Sequence, residues 1–550
     1  MPNIITRRSF LSAAGRASIG LGLASLMNIP PFLKRALAEG SIGINGKKLI
    51  FIFLRGGNDG VNNVIPMLDP SYRGTNDANR KFLAIPPDNT PGQPVDYSAV
   101  TGRADIVPID YPYAIRLGNG FAALNPALRD LAPLFNAGNL AIVHRAGYRS
   151  LSRSHFDSEQ YWEKGADGTS ANRFITDGVW YRTVVESGWN RSHALAGVSL
   201  QSNMPASLRG EQPMTNLSSV SRYNLLGVAA PSGSVNTDRI KMLNGLDAAN
   251  LQVYPAKDNR ELVHTLGVQF RETLDIFQDP AFQSNTWFDQ GGSYPDGTVL
   301  FPSRASEDQV IPGTSPVQYR VGSSGYSFMS NIRSCAQLLN STDAIITGTE
   351  IGGFDTHTGQ VSFDGTNMVS LPHLGGHANL LRRIGAAYYA LWRYFTIYGR
   401  GGSSAIPGAR VGWNDVVVVT MSEFGRTSLE NDSLGTDHGE SSVMYVAGGG
   451  VNGSVYGCDL NNNVKLGGPN WAIGDGGKNG ALYSADTSVG YLRRTIDYRS
   501  VIGEIIRDHL GATQNQLNRI IPAYANESTE HLLNGGMVAT TPIIGELGIV

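Results

Sequence analysis

Hydrophobic positions along the chain fall into short runs that alternate with longer periodic segments. Lys48–Leu54 (KLIFIFL) is a continuous apolar run that stops at Arg55-Gly56-Gly57, the pattern of a strand buried on both faces. Leu124–Ala137 has helical spacing with Asn125-Pro126 near its start, and Leu140–His144 follows as a second buried strand. Ala344–Thr347 is a shorter strand candidate. His377–Tyr398 repeats apolar residues at Leu380, Leu381, Ile384, Ala387, Tyr388, Leu391 and Phe395, which predicts a long helix. Asp415–Met421 (DVVVVTM) is the clearest β-branched strand, Val443–Ala447 is another, and Tyr498–Leu510 reads as a last amphipathic helix. Strands alternating with helices predict an α/β fold: a doubly wound, mostly parallel sheet with helices on both faces.

Stretches rich in Gly, Ser, Asn and Pro lie between these elements, at about 86–120, 200–260, 284–328 and 450–490. They are too long for simple loops and read as insertions with structure of their own. The expected organisation is one elaborated domain over 39–550.

Residues 1–38 have a different character. Arg7-Arg8-Ser9-Phe10-Leu11 is a twin-arginine motif, a weakly apolar stretch runs from Phe10 to Met27, and Ala36-Leu37-Ala38 is an A-x-A cleavage site. The segment is expected to direct export by the twin-arginine route to the periplasm, the cell surface or the medium. Arg16 and several glycines make it too weak for a stable membrane span, so none is expected after its removal.

Removal leaves 39 basic against 46 acidic residues, a net charge of −7, which argues against nucleic acid as a partner. Charged residues are only 16% of the chain and glycines number 66, in keeping with uncharged, loop-rich connections. Cys335 and Cys458 are the only cysteines; in an oxidising compartment they could pair, and they form no zinc-ribbon, haem or iron–sulfur motif.

Five polar clusters stand out: Gly56-Gly57-Asn58-Asp59-Gly60, Arg153-Ser154-His155-Phe156-Asp157, Gly352-Gly353-Phe354-Asp355-Thr356-His357, Ser422-Glu423-Phe424-Gly425-Arg426, and Gly435-Thr436-Asp437-His438-Gly439. Most follow a predicted strand. Loops leaving the carboxyl ends of strands in an open α/β sheet converge on one crevice. Asp59, Asp157, Asp355, His357, Glu423, Asp437 and His438 would meet there, and carboxylates gathered without a cation repel one another. A divalent ion is the expected resolution: zinc or manganese for mixed Asp/Glu/His ligation, magnesium or calcium as the oxygen share rises. The bland readings are turns at Gly56–Gly60 and Asp437-His438, a helix cap at Ser154 with Asp157, and a salt bridge from Glu423 to Arg426.

In this order the five motifs resemble an exported family catalogued as domain of unknown function 1501. That family in turn resembles a branch of the alkaline phosphatase and sulfatase superfamily. The resemblance implies an alkaline-phosphatase-like core, one or two divalent ions at the strand ends, and hydrolysis of a phosphate or sulfate ester, such as one of a polysaccharide or envelope component. It implies metal ligation by Asp59, Asp355, His357, Glu423 and His438, with Asp437 beside them. Ser154 is the candidate nucleophile, with His155 adjacent. Arg426 would neutralise developing charge, while Asn58 and Asp157 would contact the substrate. Two departures matter: Phe424 stands where the superfamily has a ligating His, and no Cys-x-Pro-x-Arg sulfatase nucleophile is present. They support an alternative, a non-catalytic secreted or surface protein on the same fold. A Ser-His-Asp acyl hydrolase using Ser154 or Ser422 is a third expectation, although no G-x-S-x-G elbow occurs.

Overall fold

The computed structural model describes residues 42–66, 80–86, 111–117, 122–169, 175–189, 195–211, 214–218, 297–310, 318–365, 369–457, 494–526, 528–538 and 541–550, with a few isolated positions between them. The export segment, Cys458 and most of the Gly/Ser/Asn-rich stretches lie outside the described residues.

Nine strands make the central sheet. In chain order they are β1 (Lys48–Leu54), β2 (Leu140–Gly147), β3 (Gly197–Leu200), β4 (Thr215–Leu217), β5 (Ile346–Ile351), β6 (Val416–Met421), β7 (Ser442–Gly448), β8 (Ser454–Tyr456) and β9 (Ile496–Asp497). Their spatial order is β8-β2-β7-β6-β1-β5-β3-β4, with β9 also paired to β2. β1 lies in parallel between β5 and β6, with Leu49 opposite Ile346 on one side and Val417 on the other. Only β7 runs against the rest, antiparallel to both β6 and β2. The expected mostly parallel α/β sheet is what the chain forms.

Strand side chains alternate between two cores. Ile50, Ile52 and Leu54 of β1 and Val416 and Val418 of β6 face one of them. That core is closed by α3 (Tyr326–Ser341) and α4 (Gly376–Ile397), which follow α1 (His155–Lys164) and α2 (Val179–Ser187) in the chain. Leu49, Phe51, Phe53, Val417, Val419 and Met421 face the other, closed by α1, α2, α5 (Tyr498–Glu504) and α6 (Gln514–Ile520). Both faces of the inner strands are dry, which is why they read as unbroken apolar runs.

Several elements differ from expectation. The Ala344–Thr347 candidate lies farther along, at 346–351, and includes Gly348. A side chain there would meet the Phe51 ring, since a Cβ would lie 2.3 Å from it. The helix beginning at Tyr498 widens after Glu504 into a π turn over Ile505–His509. Cys335 is a free thiol buried in α3. Among the described residues no helix is long and apolar enough to cross a membrane.

Candidate metal centre

The parallel direction of β1, β2, β5 and β6 brings their carboxyl ends to one edge of the sheet. β7 runs the other way, so its amino end, just after His438, reaches the same edge. All five polar clusters therefore meet there.

The β1 turn is built on glycine. Gly56 has φ +117°, and a Cβ on it would lie 2.2 Å from the Asp355 backbone nitrogen. Only glycine lets the turn after β1 press against the turn after β5. The Gly56 N–H donates to Glu423 Oε1 at 2.6 Å, which fixes the wholly buried Glu423 side chain at the end of β6.

Three imidazoles are oriented in the same way. His155 Nδ1 lies 2.8 Å from Glu423 Oε1, His438 Nδ1 lies 2.8 Å from the Arg153 carbonyl oxygen, and His357 Nδ1 lies 2.9 Å from Asp437 Oδ1. A carboxylate or carbonyl oxygen only accepts, so each Nδ1 carries the hydrogen, and in the neutral rings each Nε2 keeps its lone pair. All three Nε2 atoms face one oxygen, Asp355 Oδ1, at 3.5 Å for His155 and 3.2 Å for both His438 and His357. The Nε2 atoms of His357 and His438 are 3.0 Å apart. These lone pairs repel one another unless a proton or a cation stands among them.

A tetrahedral ion with bonds of about 2.0–2.1 Å has ligand-to-ligand edges of roughly 3.3 Å, close to the spacing here. The ligand atoms of His155, Asp355 and His438 lie within 4.8 Å of one another, and no other such group occurs among the described residues. His155 Nε2 is buried without a hydrogen-bond partner among the described residues. The donor set thus fits a divalent ion of the zinc type, with each Nδ1 held by an oxygen acceptor outside the ligand ring.

The charged neighbours act on the three groups in different directions. Burial would raise the Asp355 carboxyl, but the hydrogen bond and charge of Arg426 outweigh it and bring the group down to about 2. The hydrogen bond that His155 donates to Glu423 is the main influence raising His155, while burial lowers His438. The Phe424 ring packs 4.8 Å from the His155 ring and 4.7 Å from that of His438, forming an apolar wall.

The predicted residues divide into those that meet and those that do not. Asp355, His357 and His438 come together as expected, and His155 joins them as a potential ligand rather than a nucleophile's neighbour. Glu423 and Asp437 stand one layer back, holding His155 and His357. Asp59 lies apart: both of its oxygens accept from Arg80, at 2.5 and 2.8 Å, and Gln360 also donates to it. Both side chains of that pair are 0% exposed, so Asp59 has no open face toward an ion.

Arg426 is spent as well. Its buried guanidinium donates to the carbonyls of Gly56, Gly57, Phe354 and Thr436 and to Asp355, which leaves it away from any substrate. Asn58 is wholly buried, with Oδ1 3.2 Å from His377 Nε2, and so cannot reach substrate. Asp157 is exposed and accepts from Ser152 Oγ at 3.1 Å, outside the histidine cluster. Ser154 is exposed at the N-cap of α1 without a side-chain capping bond, so only the position of the capping reading holds. The salt bridge once expected from Glu423 to Arg426 is replaced by bonds to His155 and Gly56.

Residues 408–459 match the model of a family described as Protein of unknown function (DUF1501). The matched segment carries β6, Glu423, Arg426, Asp437, His438 and β7. No curated protein and no solved structure matches the chain.

Sequence reasoning missed the clamp behind His155. Arg55, at the end of β1, pairs with Glu159 at 3.0 Å and Glu163 at 2.7 Å on α1, and with Glu350 at 2.6 Å on β5. Glu159 and Glu163 are four apart on one helical face, a signal available in the sequence, but their partner Arg55 lies 108 residues before Glu163, outside any local pattern. Arg80 lies only 21 residues after Asp59 but belongs to none of the polar clusters, so nothing in its own surroundings points to that partner.

Proposed function

We propose that the chain is an exported, metal-dependent hydrolase of phosphate or sulfate esters, built on an alkaline-phosphatase-like core. The observation that carries this reading is the convergence of three Nδ1-anchored imidazoles on Asp355 Oδ1. A divalent ion bound there would polarise an ester oxygen and lower the pKa of a coordinated water. His155, Asp355 and His438 would hold one such ion, with His357 at its edge. Glu423, the Arg153 carbonyl and Asp437 fix the imidazole tautomers, and Arg426 keeps Asp355 ionised. Phe424 excludes water from one side. Ser154, exposed at the rim beside His155, is the hydroxyl available as an alternative nucleophile to water. The twin-arginine segment is read as delivering the folded, loaded protein outside the cytoplasm, where an envelope ester or polysaccharide would be met.

A second reading, a non-catalytic metal-stabilised protein on the same fold, is favoured by one observation. Arg426 is committed to backbone carbonyls, so the predicted guanidinium for an anionic transition state is missing.

The test is elemental mass spectrometry of mature protein purified without chelator, beside His155→Ala and His438→Ala variants, followed by a screen of phosphate and sulfate esters. Hydrolysis needs about one equivalent of zinc or manganese, lost in both variants together with activity. A metal-free wild type that takes up no added ion overturns the reading. Metal without ester hydrolysis leaves the non-catalytic protein.

A further inference from the structure

A second polar feature adjoins the histidine cluster. A cavity of about 160 Å³ is lined by Gly147, Tyr148, Arg149, Glu440, Ser441 and Arg494, with Leu151 beside them. Glu440 and Ser441 follow His438 by two and three residues, and three residues of chain span at most about 10 Å. Arg153 also links the cavity to the candidate metal centre: its carbonyl accepts from His438, and its guanidinium lies 3.8 Å from Glu440 of the cavity lining.

The two arginines reach the cavity with their backs held. Arg494 Nη1 donates to Asp497 Oδ2 at 2.9 Å, and Arg149 Nη1 lies 3.3 Å from Glu530 Oε1. Neither carboxylate is theirs alone: Arg499 also takes Asp497 and Glu530, at 2.9 and 2.8 Å. Arg494 is nearly buried, and burial lowers its pKa against the pull of Asp497, Glu530 and Glu440; the Glu440 carboxylate lines the same cavity, 3.8 Å from the Arg153 guanidinium. The three walls converge closely: a Cβ on Gly147 would lie 3.5 Å from Arg494 Cδ and 3.6 Å from Ser441 Cβ. Guanidinium forks suit oxyanions, and Ser441 and the small volume limit the guest to a compact group.

We propose that this cavity receives a second oxyanion of the substrate, so that the ester hydrolysed at the histidine cluster belongs to a polyanion whose neighbouring charged group docks between Arg149 and Arg494. The proposal rests on the hydrolase reading for its substrate but not for its binding site.

The experiment titrates inorganic sulfate calorimetrically into the mature protein and its Arg149→Gln and Arg494→Gln variants, with metal content measured on each. Sulfate affinity falls about tenfold in each variant at unchanged metal content, the loss typical of one charge-assisted hydrogen bond. In the ester assay, the preference for a doubly over a singly anionic ester falls by a similar factor. Arg494→Gln disturbs a buried ion-pair group and could fail to fold; Arg149, with 38% of its side chain exposed, then carries the test. A wild type that binds no sulfate at millimolar concentration, or variants that bind it as the wild type does, overturns the proposal. The second result would place the sulfate at the histidine cluster instead. Failure of the hydrolase reading would appear separately, as absent metal and absent turnover beside intact sulfate binding.

Discussion

Asp59→Asn distinguishes a buried ion-pair partner from a metal ligand at the end of β1. In the structure the Asp59 carboxylate forms a bidentate pair with Arg80, accepts from Gln360, and caps the helical turn Gly60–Asn63 through the Asn62 N–H at 3.3 Å. Arg80 also donates to the carbonyls of Thr427 and Ser428, at 2.9 and 3.1 Å, so the pair ties the end of β1 to the loop leading from Glu423 to Asp437. Burial opposes ionisation of Asp59, yet the Arg80 charge holds its pKa below the usual value. The amide keeps the shape and removes the charge, leaving a guanidinium of 0% exposure without its counter-ion. Breaking a buried pair in this way costs about 3–5 kcal/mol, a large part of a typical stability of about 5–15 kcal/mol. Urea denaturation should show that loss, and elemental analysis of the folded fraction should show metal content equal to the wild type. In a cycle with Arg80→Gln, the double variant should cost about 2 kcal/mol less than the sum of the singles. If Asp59→Asn keeps wild-type stability and loses its metal, Asp59 is a ligand and the ion-pair argument is wrong.

Three further outcomes follow from the same geometry. Glu423→Gln removes the carboxylate that fixes the His155 tautomer, and should weaken metal binding about 10–100-fold while the chain stays folded; competition with a chromogenic chelator measures this, and unchanged affinity would show that Glu423 does not set His155. Gly56→Ala places a methyl 2.2 Å from the Asp355 nitrogen at φ +117° and should destabilise by about 1–3 kcal/mol with loss of metal; a variant with wild-type melting and metal content would refute the close approach. Burial lowers His509 to about 4, so the folded protein keeps it neutral where the unfolded chain, near 6.5, takes up a proton. Its contribution is complete above pH 6.5 and is lost as pH falls toward 4, by about 3 kcal/mol at most; the stability difference between wild type and His509→Asn should shrink over that window, and a constant difference would rule the linkage out.

What the sequence made legible follows from how far each signal travels along the chain. β1 and β6 were readable because a strand dry on both faces needs an apolar residue at every position, and KLIFIFL and VVVVTM supply them. β5 was misplaced because Gly348-Thr349-Glu350 lacks that signal; position 348 is glycine where a side chain would strike the Phe51 ring on the neighbouring strand. α3 was missed although Phe328, Met329, Ile332, Cys335, Ala336 and Leu339 recur at helical spacing, because a Gly/Ser-rich stretch runs into its start. The short β3 and β4, at the end of the sheet beyond β5, carry too few residues to show a period.

The site divides along the same line. Strand direction alone brings the clusters after β1, β2, β5 and β6, and the one before β7, to one edge, so their meeting could be expected from motif order and an α/β pattern. Which carboxylate faces an ion and which holds an imidazole could not, because Asp59, Glu423 and Asp437 differ only in their partners across the fold. Arg80, outside any motif, takes Asp59; Gly56 and His155 take Glu423; His357 takes Asp437. A carboxylate is closed to a cation when a guanidinium holds both of its oxygens inside the protein, as Arg80 holds those of Asp59. Asp355 is less committed: one Arg426 nitrogen donates to Oδ1 and holds the group ionised, and the Nε2 atoms of His155, His357 and His438 lie around that same oxygen. The competition among cations for each carboxylate, rather than the density of acidic residues, decides where an ion can sit.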